Sequence, residues 1–247
     1  MDLKQYLDST YLETPASAGI TQQEYERNAE KFIQEAIDEH FKLIMIRPDR
    51  VAQARRMIDA QGSDVLVGTV IGFPEGTYTT DEKLAEARKA IADGADELDF
   101  VADYPMYKRG KPEYVASQVL QCTELTLQAG KTAKWILETA ALRADEIEGL
   151  SELIRDVVLD HFGEQAAPRV FLKTSTGFFK PGDGKPGGAT PEAVRIMVAA
   201  GAPLPVKAAG GVRDAQAAEE MIRAGVTRIG TSSAKKLVEG QAGNTAY

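Results

Sequence analysis

Two stretches of this 247-residue chain decide its fold: Arg169-Val-Phe-Leu-Lys-Thr-Ser-Thr-Gly177 and Leu204-Pro-Val-Lys-Ala-Ala-Gly-Gly211. Each is a short apolar run, typical of a buried strand, that ends near a lysine and continues into a glycine-bearing turn. In parallel α/β folds, functional side chains lie where the strands meet the loops that follow them. We therefore expect the ammonium groups of Lys173 and Lys207 at the same end of a parallel sheet.

Two lysines held close together can perform chemistry that neither performs alone. Lysine is nucleophilic only as the neutral amine, and a neighbouring cation and a dry pocket both favour that form. Lowering its pKa from about 10.4 to near 7 requires roughly 4–5 kcal/mol. One such lysine would more often extend into solvent or pair with a carboxylate, but the repeated pattern favours a catalytic pair.

Strand-like runs alternate with helical segments along the chain. The eight runs are Leu7–Tyr11, Lys42–Ile46, Val65–Val70, Glu97–Val101, Ala133–Leu137, Arg169–Lys173, Pro205–Ala208 and Thr227–Gly230. Thr79-Thr-Asp-Glu82 predicts a capping box, and Thr190 and Asp214 are predicted N-caps of later helices. This repeated order predicts an α/β (β/α)8 TIM barrel as a single domain over residues 1–247, with a doubly wound open sheet as the alternative.

The composition excludes several classes of function. Cys122 is the sole cysteine, and with only His40 and His161 the sequence offers no cluster at metal-ligand spacing, so we expect no disulfide and no metal. The net charge of −8, without a basic run, disfavours nucleic acid as a partner. The longest apolar stretch, Val65 to Phe73, is too short to span a membrane. We expect a soluble, cytoplasmic protein that acts on a small molecule.

Two aspartates lie within the predicted strands. Asp99 has apolar neighbours in Glu97-Leu-Asp-Phe-Val101, and an ionised carboxylate in such a buried place needs a partner. It can pair with one of the lysines and pass protons to a substrate, or it can cap a local backbone group. Asp8 in the first strand has the same character, in a weaker context.

Glycine-bearing turns follow the last three predicted strands. In barrels, the loops after strands seven and eight commonly bind phosphate through backbone N–H groups. Arg213 and two serines could add further donors. The predicted phosphate-binding residues are Gly177, Gly210, Gly211, Arg213, Gly230, Ser232 and Ser233.

Together these motifs resemble the deoxyribose-phosphate aldolase family, and the resemblance covers nearly the whole chain. They are Val70-Ile-Gly-Phe-Pro74, Glu82-Lys-Leu-Ala-Glu-Ala-Arg88, Gly94-Ala-Asp-Glu-Leu-Asp99, Phe171-Leu-Lys-Thr-Ser-Thr-Gly-Phe178, Gly187-Gly-Ala-Thr-Pro191, Val206-Lys-Ala-Ala-Gly-Gly-Val-Arg213 and Gly230-Thr-Ser-Ser233. The resemblance implies a class I aldolase without cofactor or metal. It would cleave 2-deoxyribose 5-phosphate reversibly to glyceraldehyde 3-phosphate and acetaldehyde.

The same resemblance assigns roles to single residues. Lys173 matches the Schiff-base lysine, Lys207 the lysine that lowers its pKa, and Asp99 the proton-relay carboxylate. The family also ends in a tyrosine on a mobile tail that assists proton transfer, so Tyr247 is a further catalytic candidate, on a tail of about 238–247 that we expect to be flexible. A homodimer is the implied assembly.

Some positions depart from the family pattern. Met45 stands where a cysteine is usual, Arg47 replaces a neutral residue, and residues 180–186 look like an insertion. The opening Asp8-Ser-Thr-Tyr-Leu-Glu13 fits the first-strand motif only in part. The changes surround the acceptor pocket and leave open a related lysine aldolase for another phosphorylated aldehyde. Two further alternatives are a phosphosugar isomerase, in which Lys173 acts as an electrostatic clamp, and a non-catalytic phosphosugar sensor. The set of Asp99, Lys173 and Lys207 argues against the sensor.

Overall fold

The computed structural model describes residues 3–182 and 187–240 of the chain. Within them, eight parallel strands close into one barrel in sequence order, because β8 pairs with β1. The strands are β1 Leu7–Tyr11, β2 Leu43–Ile46, β3 Leu66–Ile71, β4 Glu97–Val101, β5 Thr132–Ile136, β6 Val170–Lys173, β7 Val206–Ala209 and β8 Arg228–Thr231. The predicted single-domain (β/α)8 barrel is confirmed, and the alternative of an open sheet is excluded.

Helices connect the strands and cover the barrel. In the described ranges the α-helices are α1 Pro15–Ala18, α2 Gln22–Asp38, α3 Val51–Ala60, α4 Thr80–Ala92, α5 Tyr104–Lys108, α6 Pro112–Gln128, α7 Ala144–Phe162, α8 Pro191–Gly201, α9 Ala215–Arg223 and α10 Ala234–Val238. Short 3-10 helices occupy Leu3–Tyr6, Pro48–Arg50, Thr139–Ala141 and Glu164–Arg169. None of the helices described is both long and apolar enough to cross a membrane.

The predicted helix starts are confirmed by their caps. The Thr79 side chain accepts a hydrogen bond from the Glu82 N–H, and the Glu82 side chain accepts one from the Thr79 N–H, which completes the capping box of α4. Thr190 caps α8 through the Ala193 N–H, and Asp214 caps α9 in the same way. Every strand begins and ends within one residue of its predicted bounds.

Side chains alternate between the two faces of each strand. On β4, Leu98 and Phe100 face the helices and join the main core, where Phe100 stacks on Trp135 of β5 with ring centroids 5.0 Å apart. Asp99, which lies between them on β4, and Lys134, which precedes Trp135 on β5, face the inside of the barrel, where they contact each other. The period of two in a strand therefore separates the packing residues from those available for chemistry.

The inside of the barrel is divided into an apolar part and a charged part. The apolar part is formed by Leu12, Leu43, Met45, Val70, Phe73, Val101 and Ile136. The charged part is formed by Asp8, Glu97, Asp99, Lys134, Lys173, Lys207 and Arg228, and none of these is more than 6% exposed. Buried charges are stable only when they are paired, so the second group must form a network.

Candidate active site

Lys173 is the last residue of β6 and is almost completely buried. Its Nζ lies 2.8 Å from Oδ2 of Asp99, which comes from the middle of β4. The sequence-based expectation that Asp99 pairs with a lysine is confirmed. The arrangement places the candidate nucleophile and the candidate proton-relay carboxylate in direct contact.

Lys207 is the register partner of Lys173 on the neighbouring strand β7. Its Nζ lies 3.0 Å from the same Oδ2 of Asp99 and 2.5 Å from Oδ2 of Asp8. Gly230 on β8 makes room for this side chain, because a Cβ there would lie 3.1 Å from Lys207 Cε. The predicted lysine pair is therefore brought together, and Asp8 belongs to the same group.

Six of the buried charged residues form a closed ring in which cations and carboxylates alternate. Lys207 bridges Asp8 and Asp99, and Lys134 bridges Asp99 and Glu97 at 2.5 and 2.6 Å. Arg228 closes the ring between Glu97, at 3.2 Å, and Asp8. Three cations balance three carboxylates, so Lys173 is a fourth cation added to a ring that is already neutral.

Burial and this surplus positive charge together determine the acid–base properties of the site. The pKa of Lys173 is lowered to about 8, chiefly by burial and also by the charges of Lys207 and Lys134, while Asp99 acts in the opposite direction. Burial raises the pKa of Asp99, but the three lysines outweigh it and hold the pKa well below its usual range. Asp99 is therefore ionised, and Lys173 reaches its neutral, nucleophilic form at a much lower pH than an exposed lysine.

A cleft opens at the carboxyl ends of β6, β7 and β8. Lys173 and Lys207 line it, and so do all of the predicted phosphate-binding residues: Gly177, Gly210, Gly211, Arg213, Gly230, Ser232 and Ser233. Gly210 has φ +83°, and a Cβ there would lie 3.0 Å from Gly188 Cα. Glycine is needed at this position because the loops before α8 and after β7 pack backbone against backbone.

Arg47 and Met45, two of the positions that depart from the family pattern, lie outside the lining of the cleft. The guanidinium of Arg47 lies over the rings of Phe73 and Phe178, at 4.9 and 5.7 Å from their centroids. Arg47 Nε also donates to the Leu12 carbonyl at 2.7 Å. Leu12 and Phe178 line the cleft, so Arg47 supports its apolar side, while Met45 is fully buried in the apolar part of the barrel.

Comparison with known proteins places this geometry in a family. The model of the DeoC/LacD family aldolases matches residues 5–244 of the chain. The chain belongs to this aldolase family. The aldolase is 38% identical over 241 residues to the deoxyribose-phosphate aldolase of Thermococcus gammatolerans, an alignment that covers 97% of this chain and 96% of the relative. The resemblance inferred from the motifs is confirmed.

Solved structures agree with this placement. A putative deoxyribose-phosphate aldolase from Coccidioides immitis superposes on the aldolase with a TM-score of 0.80 and 34% identity, covering 96% of this chain and 84% of that one. The deoxyribose phosphate aldolase of Aeropyrum pernix, described as a tetramer, gives a TM-score of 0.79 and 30% identity, covering 96% and 90%. The homodimer expected for this chain remains a prediction, as does its cytoplasmic location.

Sequence reasoning missed three members of the charged ring of the aldolase. Glu97, Lys134 and Arg228 lie within strands and not at their carboxyl ends, where a following turn would indicate a site. Their position within predicted strands could have indicated the ring, because a barrel buries such side chains and a buried charge requires a partner. The catalytic candidate Tyr247 lies outside the described residues, as do positions 183–186 of the expected insertion and positions 241–247 of the expected tail.

Proposed function

We propose that the aldolase cleaves 2-deoxyribose 5-phosphate reversibly to glyceraldehyde 3-phosphate and acetaldehyde through a Schiff base on Lys173. The observation that carries this proposal is the position of Lys173. Lys173 is a buried fourth cation beside a ring in which three cations balance three carboxylates, and its side chain lines the cleft. Aldol cleavage requires an electron sink, and an iminium formed from a lysine provides one without a cofactor.

The proposed reaction begins when neutral Lys173 attacks the aldehyde carbon of the open-chain sugar. The carbinolamine loses water and becomes an iminium. A base removes the proton of the hydroxyl group on C3, the C2–C3 bond breaks, and its electron pair moves into the iminium to give an enamine while glyceraldehyde 3-phosphate leaves. Protonation of the enamine carbon and hydrolysis of the resulting iminium release acetaldehyde and restore the lysine.

The charged ring supplies groups for these proton transfers. Asp99 is ionised and accepts hydrogen bonds from both Lys173 and Lys207, so protons can pass among the three groups without a large movement. Through an intervening water, Asp99 can accept the substrate proton and Lys207 can return one. Lys134 holds the other carboxylate oxygen of Asp99 at 2.5 Å and keeps it in place.

The far end of the cleft suits the phosphate of the substrate. Glycine turns follow β6 and β7, Gly230 is the third residue of β8, and Arg213 and two serines lie beside them. Backbone N–H groups in glycine loops approach a phosphate closely, and an arginine adds a positive charge. The proposed substrate would therefore extend from Lys173 to the loops after β7 and β8.

A second candidate is a related lysine aldolase acting on another phosphorylated aldehyde. The placement of Arg47 behind Phe178 favours it, because this cation stands at the wall that an acceptor would contact. Turnover of 2-deoxyribose 5-phosphate, measured beside that of unphosphorylated 2-deoxyribose, tests the choice. The proposal expects efficient cleavage of the phosphorylated sugar only. Imine formation without cleavage of either sugar would favour the second candidate, and isomerisation without an imine would favour a phosphosugar isomerase.

Tyr247 is retained in the proposal on the family resemblance alone. We propose that it assists proton transfer to the enamine carbon. Tyr247→Phe should then lower kcat and slow deuterium exchange at the methyl group of acetaldehyde, while the imine on Lys173 still forms. Full activity after removal of this residue would show that the C-terminal tyrosine is inert.

A further inference from the structure

Glu138 directly follows Leu137 at the carboxyl end of β5 and has a backbone conformation that is rare for residues other than glycine. Its φ and ψ are 59° and 62°, in the left-handed region. Its neighbours hold it there, since the Leu137 N–H donates to the Lys173 carbonyl and the Thr139 N–H to the Thr174 carbonyl, both at 2.9 Å. Such conformations cost about 1–3 kcal/mol and often occur at functional sites, where the surrounding structure maintains them.

The side chain of Glu138 is 1% exposed and is directed at the segment that follows Lys173. Its Oε2 accepts hydrogen bonds from both the N–H, at 3.1 Å, and the hydroxyl of Thr176. The Thr176 Oγ1 in turn accepts from the Phe178 N–H at 3.0 Å. One carboxylate oxygen therefore fixes a turn of three residues, while the buried Oε1 has no hydrogen-bond partner among the described residues.

The turn held by Glu138 forms part of the substrate cleft. Thr176, Gly177 and Phe178 all line it together with Lys173. Gly177 adopts φ +84°, and the Phe178 ring lies edge-on against Phe73 with centroids 5.2 Å apart. The same turn therefore contributes both a glycine of the proposed phosphate site and the aromatic side of the cleft.

Glu138 is also within electrostatic reach of the proposed nucleophile. Burial raises its pKa, whereas the hydrogen bonds from Thr176 and the charge of Lys173 lower it. A buried carboxyl group with a strained backbone and an unpartnered oxygen does not improve stability by itself. Its contacts instead order a wall of the site.

We infer that Glu138 is a positioning residue, which holds Thr176 and Phe178 as the wall of the substrate cleft and influences the sugar through that wall. The inference rests on the proposed function for its kinetic test. It predicts that the loss of Glu138 affects two reactions at Lys173 to different extents. Acetaldehyde needs only the nucleophile to form an imine, whereas a sugar phosphate must also be aligned by the wall.

The kinetic test compares Glu138→Ala with Glu138→Gln, whose amide oxygen can accept the same hydrogen bonds from Thr176. The exposed Glu148→Ala on α7 is the matched control. Glu138→Ala should lower kcat/KM for 2-deoxyribose 5-phosphate by about tenfold or more, chiefly through KM, which corresponds to about 1.4 kcal/mol. Trapping of acetaldehyde by borohydride should stay within about twofold of wild type, and Glu138→Gln should recover most of the loss.

A double variant tests whether Glu138 acts through Thr176. Thr176→Val removes the hydroxyl at the centre of the turn, so the loss in Glu138→Ala/Thr176→Val should not exceed that of the more impaired single variant. Losses that add would contradict the inference. So would an equal loss in acetaldehyde trapping and sugar cleavage, since that result indicates general damage to the fold.

Hydrogen–deuterium exchange gives a test that does not depend on the substrate. The amides of Thr176 and Phe178 should exchange faster in Glu138→Ala and at about the wild-type rate in Glu138→Gln. Unchanged exchange in Glu138→Ala would overturn the inference. If wild-type enzyme fails to cleave 2-deoxyribose 5-phosphate while this exchange pattern is observed, the proposed substrate is wrong and the role of Glu138 stands.

Discussion

Lys173 and Lys207 donate hydrogen bonds to one atom, Oδ2 of Asp99, at 2.8 and 3.0 Å. Two ammonium groups therefore share one negative charge inside the barrel. Lys207 also lies 2.5 Å from Asp8, whereas Asp99 is the sole carboxylate that Lys173 contacts among the described residues. Lys173 is consequently the less compensated cation of the two and the one expected to release its proton.

Replacing Lys207 should make Lys173 harder to deprotonate. Lys207→Leu removes a cation that lowers the pKa of Lys173. Because that pKa is about 8 in the wild type, imine formation in the variant should increase only at a higher pH. The measurement is the rate of borohydride trapping with acetaldehyde across pH. Lys235→Leu, which removes a partly exposed lysine paired with Glu39, is the control. A lower rate with an unchanged profile would assign Lys207 to proton transfer alone.

Lys134 should be essential for the stability of the charged ring. Lys134→Met leaves Asp99 and Glu97 without a shared buried cation, and breaking a buried ion pair typically destabilises a protein by about 3–5 kcal/mol. Chemical denaturation measures this change. Lys131→Met removes a lysine that pairs with Asp96 at a more exposed place and should cost about 1 kcal/mol or less. Equal losses of unfolding free energy in Lys134→Met and Lys131→Met would contradict a stabilising role of Lys134 in the buried ring.

Lys173 should reduce the stability of the fold at neutral pH. Its pKa is about 8 in the folded protein and near 10.5 ordinarily, so between these values the unfolded state binds more protons and the wild type gains stability as pH rises. Lys173→Met should therefore have the higher free energy of unfolding at pH 7, by up to about 3 kcal/mol, with a difference that shrinks toward pH 10. A difference independent of pH would contradict this assignment.

The strands could be predicted because a barrel buries both of their faces. β6 and β7 are short apolar runs that end beside glycine turns, and such runs are visible in a sequence. Closure of the barrel could not be derived from periodicity. It depends on the pairing of Leu7 in β1 with Ile229 in β8, between residues that are distant in the sequence.

The lysine pair could be predicted, but the ring around it could not. Lys173 and Lys207 lie next to glycine-bearing turns, which is a local signal. Lys134 and Arg228 are distinguished only by the carboxylates that they meet across the barrel, and such contacts depend on strand register. Glu138 gave no signal in the sequence, because its side chain partner is 38 residues away.

The phosphate site should respond to added negative charge. Ser232→Glu or Ser233→Glu places a carboxylate in the cleft where the proposed phosphate binds, so KM for 2-deoxyribose 5-phosphate should rise by more than about tenfold. Unphosphorylated 2-deoxyribose should be much less affected. Ser117→Glu on the exposed face of α6 serves as the control. Similar losses with both sugars would place the phosphate elsewhere.

Borohydride trapping with acetaldehyde, followed by mass spectrometry, tests the central claim most directly. Reduction of the imine should add one ethyl group to the chain, and peptide mapping should locate it on Lys173, with none on Lys207. Labelling should become faster as pH rises through about 8, and EDTA should not change it. Absence of an adduct, or an adduct found only on exposed lysines, would contradict Schiff-base catalysis at Lys173.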